Sequence, residues 1–150
     1  MSAHAIRPIA ICVFRRNDSL FVFEGHDWVK GETFYRPLGG GIEFGEYGIQ
    51  ATAREIREEI GEEVANLRYL GTLENIFTCN GKPGHEIVQV YEGEFADRRM
   101  YERESMEGRE DCGTPFKAMW KPLADFQRGH APLYPDGLLQ LLERDSPQRP

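Results

Sequence analysis

A run of glycines leading directly into an amphipathic helix is the feature that most constrains the fold of this chain. Residues 39–41 are consecutive glycines, and residues 49–60 carry isoleucine and alanine at helical spacing. At roughly 100° per residue, these apolar positions form one stripe, which predicts the helix face that packs on a core. The stripe consists of Ile49, Ala53, Ile56 and Ile60. Gly61 follows as the residue at which such helices end, so the stretch predicts a glycine loop joined to a packed helix.

The other face of this predicted helix is acidic. Its carboxylates are Glu55, Glu58, Glu59 and Glu62, on an arc turned roughly 140° from the apolar stripe. Two like-charge pairs at i,i+4 cost about 0.2–0.5 kcal/mol each, and a solvated face normally places lysines between such carboxylates. A solvated surface helix is the simpler alternative. The cluster favours instead a bound hard cation such as Mg²⁺, beside glycines whose backbone can approach a metal or a phosphate.

The spacing of these residues resembles the Nudix box of the Nudix hydrolases. The matching pattern is Gly40, five residues, Glu46, seven residues, and then the sequence REIREEIG over residues 54–61. The last position of the box is usually aliphatic and is Glu62 here, so Val64 is expected to supply the apolar side chain after the helix. The resemblance specifies a chemistry and leaves the substrate open.

The resemblance implies a role for each matching residue. The expected metal ligands are Glu55, Glu58, Glu59 and the carbonyl oxygen of Gly39, with Mg²⁺ or Mn²⁺ as the ion. One of these glutamates is expected to act as the base toward the attacking water, and which one stays open. Arg54 and Glu46 are expected to brace the site as an ion pair. The catalytic set is therefore Glu55, Glu58, Glu59, Arg54 and Glu46.

Candidate substrate-binding residues lie inside and outside the box. They are Gly40, Gly41, Arg36 and Glu86. Arg36 belongs to a short predicted strand that delivers the glycine loop, and Nudix enzymes often take a further acidic ligand or base from the region of Glu86. The aromatic residues Trp28, Phe34 and Tyr35 either stack on a nucleobase or fill core and rim.

The rest of the chain predicts an α/β (α+β) fold. Residues 9–14 and 20–23 are continuously apolar on either side of a turn at residues 17–19, which predicts a hairpin covered on both faces. A second hairpin is expected over residues 67–95, and a last helix over residues 135–143 on the sheet face opposite the first helix. With the resemblance, these elements predict an α/β/α sandwich with a central mixed β-sheet between helices.

Length and charge distribution predict one Nudix domain over residues 1–150. Residues 97–113 are expected to form a charged loop, and residues 145–150 a frayed tail. An arginine of that loop at position 98, 99 or 103 could instead clamp a distal phosphate.

The expected partner is a small-molecule nucleotide. A formal net charge of −7 argues against a nucleic-acid partner, including capped RNA, because phosphate backbones are bound through basic surfaces. With neither a secretory signal nor 18 consecutive apolar residues, the sequence predicts no membrane partner. The widely spaced Cys12, Cys79 and Cys112 predict reduced thiols in a cytoplasmic protein. The choice between a monomer and a homodimer stays open.

The leading functional hypothesis is a metal-dependent hydrolase that cleaves the pyrophosphate bond of a nucleoside diphosphate linked to another moiety, by water attack at phosphorus. A pyrophosphatase that sanitises oxidised nucleoside triphosphates shares this chemistry and is not separated from it by sequence. A non-catalytic nucleotide-binding Nudix module is the third hypothesis, disfavoured because all three box carboxylates are present.

Overall fold

The computed structural model describes residues 4–110 and 112–145, over which the chain forms nine strands, three α-helices and a short 3₁₀ helix. The strands are β1 (Ile6–Val13), β2 (Arg15–Arg16), β3 (Ser19–Asp27), β4 (Glu32–Arg36), β5 (Leu38–Gly41), β6 (Val64–Cys79), β7 (Lys82–Phe95), β8 (Ser105–Arg109) and β9 (Pro115–Pro122). The helices are α1 (Gly48–Ile60), α2 (Leu123–Gln127) and α3 (Leu138–Asp145), and the 3₁₀ helix is Arg98–Glu102.

The strands form two sheets. One has the order β5-β1-β7-β6 and is mixed, because β1 and β7 are parallel whereas the other neighbours are antiparallel. The other has the order β2-β3-β9-β8, with β4 also paired to β3. The predicted mixed α and β fold is confirmed, and the division of its strands into two sheets is the feature that the sequence did not predict.

Helices α1 and α3 cover opposite faces of the mixed sheet, as predicted. Alternate residues of β1 belong to different core clusters, because side chains of a strand point alternately to its two faces. Ile9 and Ile11 pack in the cluster that contains Leu138 and Leu142 of α3. Cys12 packs in the cluster that contains Ile56 of α1. The continuous apolar run of β1 is therefore explained by burial on both sides.

The first predicted hairpin needs correction. The turn after Arg16 forms as expected, but only the two residues of β2 pair across it, with Leu20 and Ser19 of β3. Strand β1 lies in the mixed sheet and β3 in the other, so the two apolar runs enter separate sheets and share only the backbone hydrogen bond from Phe21 N–H to the carbonyl of Phe14, at 3.1 Å. Two adjacent buried runs have the same sequence pattern whether they pair with each other or enter separate sheets.

The second predicted hairpin is confirmed. Strands β6 and β7 pair over nearly their whole length, joined by Asn80 and Gly81, both with positive φ. This is the two-residue turn whose twist suits antiparallel strands. Strand β6 is continuous through Gly71, where a bulge shifts the register between Tyr69 and Gly71.

The predicted charged loop over residues 97–113 also needs correction. The structure forms the 3₁₀ helix Arg98–Glu102 and then β8, which pairs with β9. Met100 is buried, and Tyr101 and Met106 pack against the core cluster that contains Met100. A few apolar residues inside a charged sequence therefore suffice to fold the segment onto the protein.

The last predicted helix begins later than expected, at Leu138, because Pro135 and Asp136 belong to the preceding turn. Of the predicted frayed tail, only Asp145 lies within the described residues, and it ends α3 as an acceptor for Arg68 at 2.9 and 3.2 Å. No helix of the described part of the chain is long and apolar enough to span a membrane. The three cysteines are free thiols.

Candidate active site

The glycine run forms β5, the edge strand of the mixed sheet, antiparallel to β1. A side chain at Gly39 would collide with the carbonyl oxygen of Ala10 on β1. A side chain at Gly40 would collide with the carboxyl group of Glu55, whose Oε1 lies 2.7 Å from the position of the absent Cβ. Glycine at these positions allows β5 to lie against both a strand and a buried carboxylate.

Helix α1 ends as predicted, with Gly61 in the left-handed conformation and its N–H donated to the carbonyl of Arg57 at 2.9 Å. The predicted buried stripe is only partly correct, since Ile49 is 43% exposed. The residues that the helix buries are Ala51, Thr52, Glu55, Ile56 and Glu59. The buried face is thus rotated toward the acidic side chains, because that side of the helix packs against β5 rather than facing water.

Two of the box glutamates are buried beside the glycine strand. Glu55 is 2% exposed and Glu59 is 8% exposed. Glu59 Oε1 accepts the backbone N–H of Gly39 at 3.1 Å, which ties the last turn of α1 to the start of the glycine run. Burying a carboxylate is costly unless it is hydrogen-bonded or paired, so these side chains are held by specific partners.

Arg54 holds Glu55 and also Glu46, the glutamate that precedes the helix. Its guanidinium donates to both oxygens of Glu46, at 2.8 and 3.0 Å, and to Glu55 Oε1 at 3.0 Å. It also donates to the carbonyl of Gly41 at 2.9 Å, which fixes the end of β5. The guanidinium lowers the pKa of Glu46 to about 2, chiefly through this two-pronged hydrogen bond. The ion pair expected between Arg54 and Glu46 is therefore present in the structure.

Glu58 differs from the two buried glutamates. It is 47% exposed, and its Oε2 accepts from Arg54 one turn earlier at 3.1 Å. Glu62 lies beyond the end of α1, so the like-charge pair expected between Glu58 and Glu62 does not form within a helix. Among residues 4–110 and 112–145, no three acidic, His or Cys side chains are arranged to hold one metal ion. Glu58 is oriented toward Arg54 instead.

A cavity of about 420 Å³ brings most of the candidate residues together. Its lining includes Arg36, Gly39, Gly40, Gly41, Glu55, Glu59 and Glu86. Glu86 is 6% exposed, accepts from Asn75 Nδ2 at 3.2 Å and lies 3.6 Å from Arg36 Nη2. Glu46, Arg54 and Glu58 do not line this cavity, and their contacts with it pass through Glu55 and Gly41.

Sequence reasoning missed part of this lining. Arg7 lies on β1 beside the glycine strand, and Phe23, Glu110 and Cys112 complete the wall. The pairing of β1 with both β5 and β7 places Arg7 there, in register with Glu86. The sequence gives no signal for that pairing. Its pattern predicts instead that the two apolar runs near the N-terminus pair with each other. The cavity therefore carries a second arginine that no motif identifies.

A family model described as the NUDIX domain matches residues 5–138. The chain belongs to the Nudix family. Nudix hydrolases are enzymes that act on phosphoanhydride bonds. Nudix hydrolases generally use divalent metal ions and act on nucleotide substrates. The family expected from the glycine run and the acidic helix is confirmed.

Curated proteins and solved structures include further relatives of this chain. Over 67 residues this Nudix chain is 39% identical to the NAD-capped RNA hydrolase NudC of Pseudomonas aeruginosa. The match covers 45% of this chain but only 23% of that protein. The chain superposes on a NUDIX hydrolase from Nitrosomonas europaea with a TM-score of 0.64 at 20% identity, over 93% of this chain and 87% of that one. The MutT NUDIX hydrolase of Burkholderia pseudomallei gives a TM-score of 0.66 at 20% identity, over 95% and 100%. The two structures show a shared fold.

Proposed function

We propose that this Nudix enzyme hydrolyses the pyrophosphate bond of a nucleoside diphosphate linked to another moiety, by water attack at phosphorus. The observation that carries the proposal is the composition of the 420 Å³ cavity. Three buried carboxylates, Glu55, Glu59 and Glu86, share it with the guanidinium groups of Arg7 and Arg36. Carboxylates alone would repel a pyrophosphate, whereas arginines beside them can bind phosphate oxygens.

The donor set suits a hard divalent ion, with Mg²⁺ expected and Mn²⁺ as the alternative. The residues that would hold it are Glu55, Glu58, Glu59 and the carbonyl of Gly39. Glu55 and Glu59 are already buried against the glycine strand, so two oxygen donors are preorganised, and Glu58 would have to leave Arg54 to join them. A bound ion would neutralise the phosphate oxygens and acidify the attacking water.

The other residues position these groups. Arg54 holds Glu46 and Glu55 in place and fixes the carbonyl of Gly41. Its expected role is therefore structural support for the acidic wall, by which we mean the buried carboxylates Glu55 and Glu59 beside the glycine strand. Arg36 is expected to bind a phosphate oxygen of the substrate. Glu86, close to Arg36, is the candidate for a further acidic ligand or for the base that takes the proton of the attacking water.

The linked nucleoside diphosphate is preferred over an oxidised triphosphate for one reason. NudC, to which part of this chain is similar, is named for its action on NAD-capped RNA. NAD is a dinucleotide joined through a pyrophosphate and so belongs to the proposed substrate class. The net charge of −7 favours a free dinucleotide or nucleotide sugar over an RNA strand.

A substrate panel with Mg²⁺ and with Mn²⁺ tests the proposal. It should include ADP-ribose, NAD, NAD-capped RNA and an oxidised purine triphosphate, with the products identified by mass spectrometry in ¹⁸O-labelled water. We expect ADP-ribose or NAD to yield a nucleoside monophosphate, with the label on a phosphate product. Label on a sugar carbon, or turnover restricted to the triphosphate, would refute the proposed reaction or substrate class respectively.

A matched variant connects that activity to the acidic wall. Glu59→Gln keeps an acceptor for the N–H of Gly39 and removes only the charge. We expect turnover to fall on the order of a hundredfold or more, as for other groups that stabilise charge in a transition state. Wild-type turnover by this variant would remove Glu59 from the catalytic set.

A further inference from the structure

A second cavity, of about 230 Å³, adjoins the 420 Å³ cavity of the proposed active site, which is called the catalytic cavity below. Among the residues that line it are Glu32, Phe34, Arg36, Asn75, Phe77 and Tyr134. Arg36 lines both cavities. Asn75, in the wall of this second cavity, donates to Glu86 in the wall of the catalytic one at 3.2 Å. A substrate whose phosphate is bound at Arg36 can therefore extend directly into the second cavity.

Three aromatic side chains form part of the wall of this second cavity. The rings of Phe34 and Tyr134 lie with their centroids 5.4 Å apart at an angle of 54°, and Phe77 contributes a further ring. Aromatic side chains stack on the faces of nucleobases. The size of the cavity, smaller than a pocket for a whole nucleotide, fits one ring system of a larger ligand.

The second cavity is lined by three carboxylates and two cationic side chains, namely Asp27, Glu32, Asp136, Lys30 and Arg36. Glu32 Oε1 accepts the hydroxyl hydrogen of Tyr134 at 2.8 Å. A carboxylate has about four acceptor positions, so Glu32 can accept from a ligand at the same time. Asp27 Oδ1 is engaged by the N–H groups of Val29 and Lys30, each at 2.9 Å, and serves the turn after β3. A ligand here therefore meets an acceptor at Glu32.

We propose that this second cavity binds the nucleobase of the substrate and that Glu32 selects a base carrying an exocyclic amino group, by accepting one of its N–H hydrogens. The inference rests on the proposed function, because Arg36 connects the two cavities by binding a phosphate. Adenine is the probe that fits this chemistry, with the base between the aromatic walls and its amino group toward Glu32.

Binding of two mononucleotides tests this selection without any turnover. AMP is compared with purine riboside monophosphate, in which a hydrogen replaces the amino group, by isothermal titration calorimetry in the presence of Mg²⁺. We expect the wild-type protein to bind AMP on the order of tenfold more tightly, because a lost hydrogen bond to a charged group has about that effect. Equal affinities, or no binding of either nucleotide, would overturn the proposal.

Two variants distinguish recognition of the base by Glu32 from a general effect of removing a carboxylate from the sheet. Glu32→Leu removes the acceptor at similar size and should reduce the preference for AMP to less than about twofold. Glu24→Leu is the matched control, because Glu24 on β3 also accepts from a tyrosine hydroxyl, that of Tyr35 at 3.1 Å, but does not line this cavity. Loss of the preference in both variants would contradict the assignment to Glu32.

The comparison of wild-type affinities stands even if Glu32→Leu does not fold. AMP contains no phosphoanhydride bond, so its binding does not depend on the proposed hydrolysis. A protein that prefers AMP but cleaves no member of the substrate panel would retain the base site and lose the proposed function. A protein that cleaves ADP-ribose but binds both mononucleotides equally would retain the proposed function and lose the base site.

Discussion

Replacement of Glu58 by glutamine should change the stability of the protein only when a divalent metal is present. Without metal, the variant loses an exposed ion pair with Arg54, worth about 0.3–0.5 kcal/mol at i,i+4 spacing. It is also relieved of repulsion from neighbouring carboxylates such as Glu55, which is of similar size, about 0.2–0.5 kcal/mol. The two effects nearly cancel. For a chain of this length, a residual of about 0.5 kcal/mol corresponds to a change of only about 1–2 °C in melting temperature.

Metal binding increases the free energy of unfolding by an amount that depends on Glu58. At a Mg²⁺ concentration ten times the dissociation constant, mass action stabilises the wild-type protein by about 1.4 kcal/mol, or about 3–6 °C. If loss of one carboxylate weakens metal binding about tenfold, the same Mg²⁺ stabilises the variant by only about 0.4 kcal/mol. We therefore expect a difference of about 2–4 °C between the proteins in Mg²⁺ and almost none in EDTA.

Differential scanning fluorimetry in EDTA and in MgCl₂, at matched ionic strength, measures the melting temperature without and with metal. Glu62→Gln is the control, because it removes the same charge just beyond Gly61, outside the helix and outside the expected ligand set. Its melting temperature should respond to Mg²⁺ as that of the wild type does. A Glu58→Gln variant that is destabilised equally in EDTA and in Mg²⁺ would make Glu58 an ion-pair partner of Arg54 and not a metal ligand.

Two other substitutions test the geometry of the acidic wall. Gly40→Ala should lower kcat/KM on the order of tenfold or more, because its Cβ would displace the carboxylate of Glu55, whereas Gly41→Ala meets only a guanidinium nitrogen at 3.5 Å and should lose much less. Glu46→Gln should make the melting temperature of the protein less dependent on pH in the acid range. The pKa of Glu46 is lowered to about 2 in the folded protein from its usual 4.5, so the stabilisation it provides is complete above about pH 5 and is lost as pH falls toward 2. The wild-type melting temperature should therefore fall more steeply than that of the variant over this range, and parallel curves would contradict the role of the Arg54 contact.

The site was predictable from sequence wherever the relevant contacts are local. The glycine run, the helix and its end at Gly61 lie within one continuous segment, and their spacing encodes their structure. The helix face was less predictable. Glu55 and Glu59 are buried because β5 packs over them, and an amphipathic pattern treats every glutamate as facing water. Ile49 is exposed for the complementary reason.

Contacts between distant segments could not be predicted from the same patterns. Strand β1 pairs with β5 and β7 instead of β3, and this pairing brings Arg7 to the catalytic cavity. Strand β8 was hidden in a charged segment, since its buried contacts involve only Met106 and Gly108. A side chain at Gly108 would collide with Phe116 and approach the carbonyl of Glu59, so its glycine allows β8 to lie against the end of α1.

The chain crosses from one sheet to the other next to Arg36, which lines both cavities. At Pro37 the backbone leaves β4, in one sheet, and enters β5, in the other. Pro37 cannot donate a hydrogen bond to either ladder, which suits a residue between two strands. The acidic wall is built by β5 and α1, while the proposed base site takes Glu32 and Phe34 from β4. Arg36 of β4 lies 3.6 Å from Glu86, so substitutions of Glu32 or Phe34, and not of Arg36, are expected to alter the choice of base without disturbing a contact of the buried carboxylates.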